Sequence, residues 1–204
     1  MLAYKEAIYN SLEQYLQKIN VTYVLFRTDH CQLQEPEFEL IVLEDDFRKI
    51  AFYIKQFCTQ NNIIIVPRLK YERTNPLYIL YYYDIERKCF SNLKIRITHG
   101  LESSDRLFLS AKELLSNRLF DKSKWRLNDT YTFIYQLIQA VDYNKTNLPF
   151  LQLLNYWEKS HVEIIDKLKR FFEENSITHI KRAFFDNDPE YLKANFVYLK
   201  NDLV

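Results

Sequence analysis

The sequence predicts an α+β protein: a mixed sheet of about five strands flanked by helices, followed by an all-helical C-terminal part packed on it. Three observations carry this. Over the first hundred residues the apolar period switches repeatedly between that of a helix and that of a strand. After Gly100, the only glycine in 204 residues, the strand signal stops and helical stripes follow one another. No Gly-, Ser- or Pro-rich linker interrupts the chain, so the two parts are expected to touch.

Residues 2–19 place Ile8, Leu12, Tyr15, Leu16 and Ile19 on one helical face. Val21–Arg27 is β-branched and aromatic, as a strand requires. Residues 28–36 are polar and read as a loop, and Glu37–Leu43 as a second strand. Asp45 is a candidate cap for a helix to about Gln60, with Phe47, Ile50, Ala51, Ile54, Phe57 and Cys58 as its stripe. Ile63–Val66 opens a third strand, Leu77–Tyr83 is a fourth, and residues 84–88 read as a hairpin loop. In Leu93–Thr98 the apolar Leu93, Ile95 and Ile97 alternate with Lys94, Arg96 and Thr98, which puts Arg96 on the more polar face.

Ser110 and Glu113 form a capping box for the next helix. Asp129 is a candidate cap for a helix carrying Phe133, Ile134, Leu137, Ile138 and Val141. Pro149 suits a first helical turn, Ser160 and Glu163 form a second capping box, Ser176 can start a short helix, and Asp188-Pro189 starts the last. The order is α-β-β-α-β-β-β and then helices, and the division falls at 1–105 and 106–204.

Composition excludes several chemistries. One glycine cannot build a Walker A loop or a dinucleotide fingerprint, both of which bring backbone amides against phosphates. With 28 basic and 27 acidic residues, net charge +1, no basic excess indicates a nucleic-acid partner. Cys31, Cys58 and Cys89 are odd in number and form no C-x-x-C, which reads as a reduced, cytoplasmic protein. No stretch reaches the roughly 18 apolar residues of a membrane span.

The candidate site lies at Glu37 and Glu39. Side chains two apart on a strand share a face, so both carboxylates point one way. They can hold a divalent ion, pair with Arg27 or Arg96, or remain ordinary surface charges. A Glu39–Arg96 pair would put a salt bridge where a metal would otherwise sit, and Lys94 shares the polar side of that strand. Asp84 is a further acid, in a position that turns favour anyway. His30, Cys31, His99, His161 and His179 fall into no metal-binding or nucleophilic pattern. Tyr81-Tyr82-Tyr83 must alternate faces, which favours packing over ring stacking on a ligand.

The order helix, strand, loop, strand, helix, further strands over residues 5–118 resembles the nucleotidyltransferase superfamily. The likeness is to diverged members associated with surface-glycan or nucleotide-sugar biosynthesis. The segment Arg106–Arg118 looks like the one that follows the last core strand in these relatives. The resemblance implies a G-S-x-x-D-x-D motif, a third Asp on a later strand, and Mg²⁺ ions that align a nucleotide's phosphates. Here Glu37-Phe38-Glu39 stands at D-x-D, no Gly-Ser turn precedes it, and Arg96 stands at the third acid. Lengthened arms disturb the octahedral geometry that Mg²⁺ requires, and a guanidinium repels a cation. The expectation is therefore a catalytically degenerate binding or scaffolding module with no cofactor. One alternative is an active Mg²⁺-dependent transferase using Glu37 and Glu39. Another is an antitoxin- or defence-like member that binds a helical protein partner. The ligand expected is a protein, a nucleotide or a nucleotide-sugar.

Overall fold

The computed structural model describes residues 2–27, 38–68, 76–84, 88–103, 106–121, 124–144 and 148–203. Helix α1 (Leu2–Lys18) leads into β1 (Tyr23–Arg27), then β2 (Phe38–Val42), α2 (Glu44–Gln60), β3 (Ile64–Arg68), β4 (Leu77–Asp84) and β5 (Cys89–Thr98). Two short ribbons, β6 (Gly100–Ser103) with β7 (Arg106–Ser110) and β8 (Arg118–Asp121) with β9 (Lys124–Leu127), flank α3 (Ala111–Ser116). The helices α4 (Asp129–Asp142), α5 (Phe150–Leu168), α6 (Glu174–Phe185), α7 (Pro189–Ala194) and α8 (Phe196–Asp202) complete the chain.

The five-stranded sheet runs β1-β2-β5-β4-β3. Only β2 and β5 are parallel; the other neighbours are antiparallel. The fold is therefore α+β, with a mixed sheet, flanking helices and a helical C-terminal part. Every residue of β2 is buried, as in a strand covered on both faces. Phe38, Leu40 and Val42 enter the core formed with α1 and α2, together with Leu12, Leu16, Ile50 and Ile54. Glu39 and Ile41, also buried, occupy the other face. The edge strand β3 carries Pro67, a residue that sheets tolerate at an edge.

The chain forms two compact units. The first comprises Met1–Glu102 and Leu109–Arg126, and holds the sheet with α1, α2 and α3. The second comprises Ser103–Phe108 and Leu127–Val204. Its core is aromatic: the Phe133 ring lies 4.9 Å from that of Phe184, which stacks on Phe150 at 4.9 Å and on Trp157 at 5.2 Å. Such contacts add to the area that these rings remove from water.

Local signals differ from the expected ones at a few places. The strand signal does not stop at Gly100, since β6 to β9 follow it. They are four or five residues long, too short for alternation to register. Asp45 does not cap α2; Leu43 holds the cap position without a side-chain bond, and Asp45 lies in the first turn, where its charge suits the helix dipole. Asn128, not Asp129, caps α4, its side chain accepting from the Tyr131 N–H. Helix α6 begins before Ser176, which is buried within it. Ser110 does cap α3, accepting from the Glu113 N–H, and Asp188 caps α7 with Pro189 at its start. Ser160 breaks the helical backbone inside α5, where the second capping box was expected. The last predicted helix divides at Asn195 into α7 and α8.

Candidate functional site

The parallel pairing of β2 and β5 sets Glu39 directly opposite Arg96. Residues facing each other across a ladder share one face, so the two side chains meet there. Arg96 Nη1 donates to Glu39 Oε1 at 3.1 Å. The Glu39 side chain is 2% exposed and that of Arg96 21%. The carboxylate is thus withdrawn from water, and its charge is balanced by a guanidinium that still reaches solvent. A charge-assisted bond of this kind is among the stronger polar contacts a protein makes. On its other side Arg96 faces Leu77 of β4, and Lys94 lies two residues back on the same face of β5, opposite Ile79.

Of the other expected site residues, Glu37 lies outside the described residues, as do His30 and Cys31. Arg27 closes β1 opposite Phe38, and Asp84 closes β4 opposite Cys89; the side chains of both lie outside the described set. The structure therefore brings Glu39 and Arg96 together and places Lys94 beside them. Among the described residues no three His, Cys, Asp or Glu side chains gather as a metal-binding group.

His99, between β5 and β6, pairs through Nε2 with Glu102 at 2.8 Å and sets its ring edge-on to Phe47. The tyrosine run alternates as a strand demands: Tyr82 is buried in the core and Tyr83 is exposed. His179 meets the Tyr191 hydroxyl through Nδ1 at 2.6 Å, and His161 packs near Trp157 and Phe185. Cys58 is a buried free thiol and Cys89 an exposed one.

A second buried carboxylate was missed by sequence reasoning. Glu13 of α1 is 2% exposed, with its Oε2 3.9 Å from Lys124 Nζ. That ammonium also sits 4.4 Å from the Tyr9 ring centre. The Tyr23 hydroxyl donates to the Glu13 carbonyl at 3.1 Å, and Arg118 Nη1 donates to the Tyr23 carbonyl at 3.1 Å while lying 4.1 Å over Trp125. Burial pushes the Tyr23 phenol up to about 12; a Gln17 hydrogen bond opposes this, nearby Glu13 adds to it, and Arg118 again opposes it. These contacts fasten the β8–β9 ribbon to α1 and β1. The available signal was position: Glu13 falls beside Leu12 and between Tyr9 and Leu16, within the apolar stripe.

No family model and no curated protein matches the chain. Solved structures do. A crystal structure from H. pylori described as a "putative nucleotidyltransferase" is 14% identical, covers 97% of this chain and 90% of its own, and superposes with a TM-score of 0.50. JHP933 from Helicobacter pylori is 13% identical over 96% of this chain and 87% of its own, with a TM-score of 0.49. At such identity the likeness is one of fold. The chain has a nucleotidyltransferase-like α+β fold, as the order of its elements implied.

Proposed function

We propose that this protein is a nucleotidyltransferase-fold module that no longer performs transfer and acts by binding or scaffolding. The observation that carries the reading is the Glu39–Arg96 ion pair. In this fold class, divalent ions held by converging carboxylates supply the charge that aligns and neutralises a nucleotide's phosphates. Here the buried carboxylate is already neutralised, and its partner is a fixed cation. A Mg²⁺ ion arriving at Glu39 would have to displace a charge-assisted hydrogen bond and remain close to a guanidinium. Glu39, held by Arg96, therefore does not fit the metal. The single glycine of the sequence agrees, since no Gly-Ser turn is available to grip a triphosphate.

Surface-glycan or nucleotide-sugar metabolism is the setting the family resemblance suggests, and the free thiols of Cys58 and Cys89 suit a reducing cytoplasm. No helix among the described residues is long and apolar enough to cross a membrane.

The test is pyrophosphate release from the four ribonucleoside triphosphates with Mg²⁺ or Mn²⁺, comparing wild type with Glu39→Gln. The expected result is the same background rate in both. Metal-dependent turnover that disappears in Glu39→Gln would overturn the proposal and establish an active transferase.

A further inference from the structure

The five-stranded sheet has an inner face, packed on α1 and α2, and an outer face that carries Glu39 and Arg96. The register orders the residues of that outer face. Ile64 and Val66 of β3 stand opposite Tyr81 and Ile79 of β4. Tyr83, Tyr81 and Ile79 of β4 stand opposite Phe90, Asn92 and Lys94 of β5. One half of the face is closed: Ile41 is fully buried, Leu77 is 3% exposed and Ile79 8%. The other half is open: Ile64 is 59% exposed, Val66 41%, Tyr83 47% and Phe90 68%. Tyr83 and Phe90 meet edge to face, their ring centres 5.5 Å apart.

An antiparallel sheet face that meets water normally carries polar residues. The open half instead carries β-branched and aromatic side chains, the residues of a packed strand face. Their exposed surface comes to about 400 Å². A dimer of standard size buries about 800 Å² on each partner, about three-fifths of it apolar. The four side chains thus supply most of the apolar share of one such interface, and the half-buried Tyr81, Asn92 and Lys94 lie beside them as a more polar margin. The sheet edge at β3 offers little to an added strand, because Pro67 has no N–H and the Ile63 N–H is bound to the Cys58 carbonyl at 2.8 Å. A partner is therefore met face on. The patch has an aromatic end, Tyr83 and Phe90, and an aliphatic end, Ile64 and Val66. A twofold axis passing between the ends sets the aromatic end of each copy on the aliphatic end of the other.

We propose that the open half of the outer face is the interface of a twofold-symmetric homodimer, in which the sheets of two copies pack face to face. The inference concerns assembly and does not depend on whether the chain transfers nucleotides.

Sedimentation equilibrium of the full chain tests this. The weight-average mass should climb from one chain toward two between about 1 µM and about 100 µM. Ile64→Lys and Phe90→Lys change exposed positions at opposite ends of the patch and on different strands. Each should raise the dissociation constant about tenfold or more, while circular dichroism and melting temperature stay those of wild type. Should one variant lose its fold, the other decides. Phe52→Lys, at a comparably exposed ring of α2, should leave the constant unchanged. The proposal is overturned by a chain that stays monomeric at about 100 µM, whether or not it then binds another protein or a lipid vesicle. It is also overturned by a dimer that the folded patch variants leave intact, or by Phe52→Lys weakening the dimer as much as they do.

Discussion

Glu39 and Arg96 form an unequal pair, one side chain almost fully buried and the other a fifth exposed. Desolvating the carboxylate is costly, and the guanidinium offsets that cost only while it is present. Arg96→Ala should therefore destabilise the first unit by about 2–4 kcal/mol, because it removes the guanidinium charge that faces a buried carboxylate. The double variant Glu39→Leu/Arg96→Leu should recover most of that loss. Urea denaturation of wild type, single and double variants measures it; an Arg96→Ala midpoint equal to wild type would sink the idea. Part of this pair was legible in the sequence. Strand alternation put Arg96 on the polar face and Glu39 in an apolar run. That the two face each other depends on the parallel register of strands 57 positions apart in the chain, and periodicity carries no information about register. Glu13 was hidden for a related reason: its burial is completed by Lys124 and the β8–β9 ribbon, far along the sequence.

Helix α4 shows how much a boundary depends on one residue. Its cap is Asn128, whose Oδ1 accepts from the Tyr131 N–H at 2.8 Å, while the Asn128 carbonyl accepts from Thr132 Oγ1 at 2.8 Å. Asp129 instead lies in the first turn, where it pairs at 3.6 Å with an exposed Lys159. Asn128→Ala should thus cost about 1 kcal/mol, and Asp129→Ala less than about 0.5 kcal/mol. Thermal unfolding of the two variants separates them, and a larger loss for Asp129→Ala would contradict the assignment. Asn128 and Asp129 are both good caps, and sequence alone ranks them nearly equally. Long elements were legible for the opposite reason: α1, α2, β4 and β5 repeat their pattern enough times to exclude the other period. The ribbons were not. In β8, Leu119 and Phe120 are consecutive and both exposed, so no alternation marks the strand. Its stability comes from Arg118 and Trp125 rather than from a buried face.

At the scale of the molecule, the two units can be followed separately, because each holds one of the two tryptophans, Trp125 in the first and Trp157 in the second. In a Trp157→Phe background the remaining indole reports the first unit. That unit contains groups whose protons folding retains, Cys58 and Tyr23 foremost, with burial raising Tyr15 and Tyr78 in the same direction. Burial pushes the Cys58 thiol up from 9.0 to about 12, and the Tyr23 phenol up from 10.0 to about 12. Above the unfolded values the denatured chain has released these protons while the native chain keeps them, so stability must fall as pH rises. Their contribution is fully present below about pH 9 and is lost progressively toward 12, each unit of separation amounting to at most about 1.4 kcal/mol per group. The urea midpoint read from Trp125 should therefore decline steadily over that window. Cys58→Ala should lower the midpoint at neutral pH, through the cavity it leaves, and make the alkaline decline shallower. A midpoint that stays level from pH 9 to 11 would show that these protons are not linked to folding of the first unit, and a decline equally steep in Cys58→Ala would show that the Cys58 proton is not.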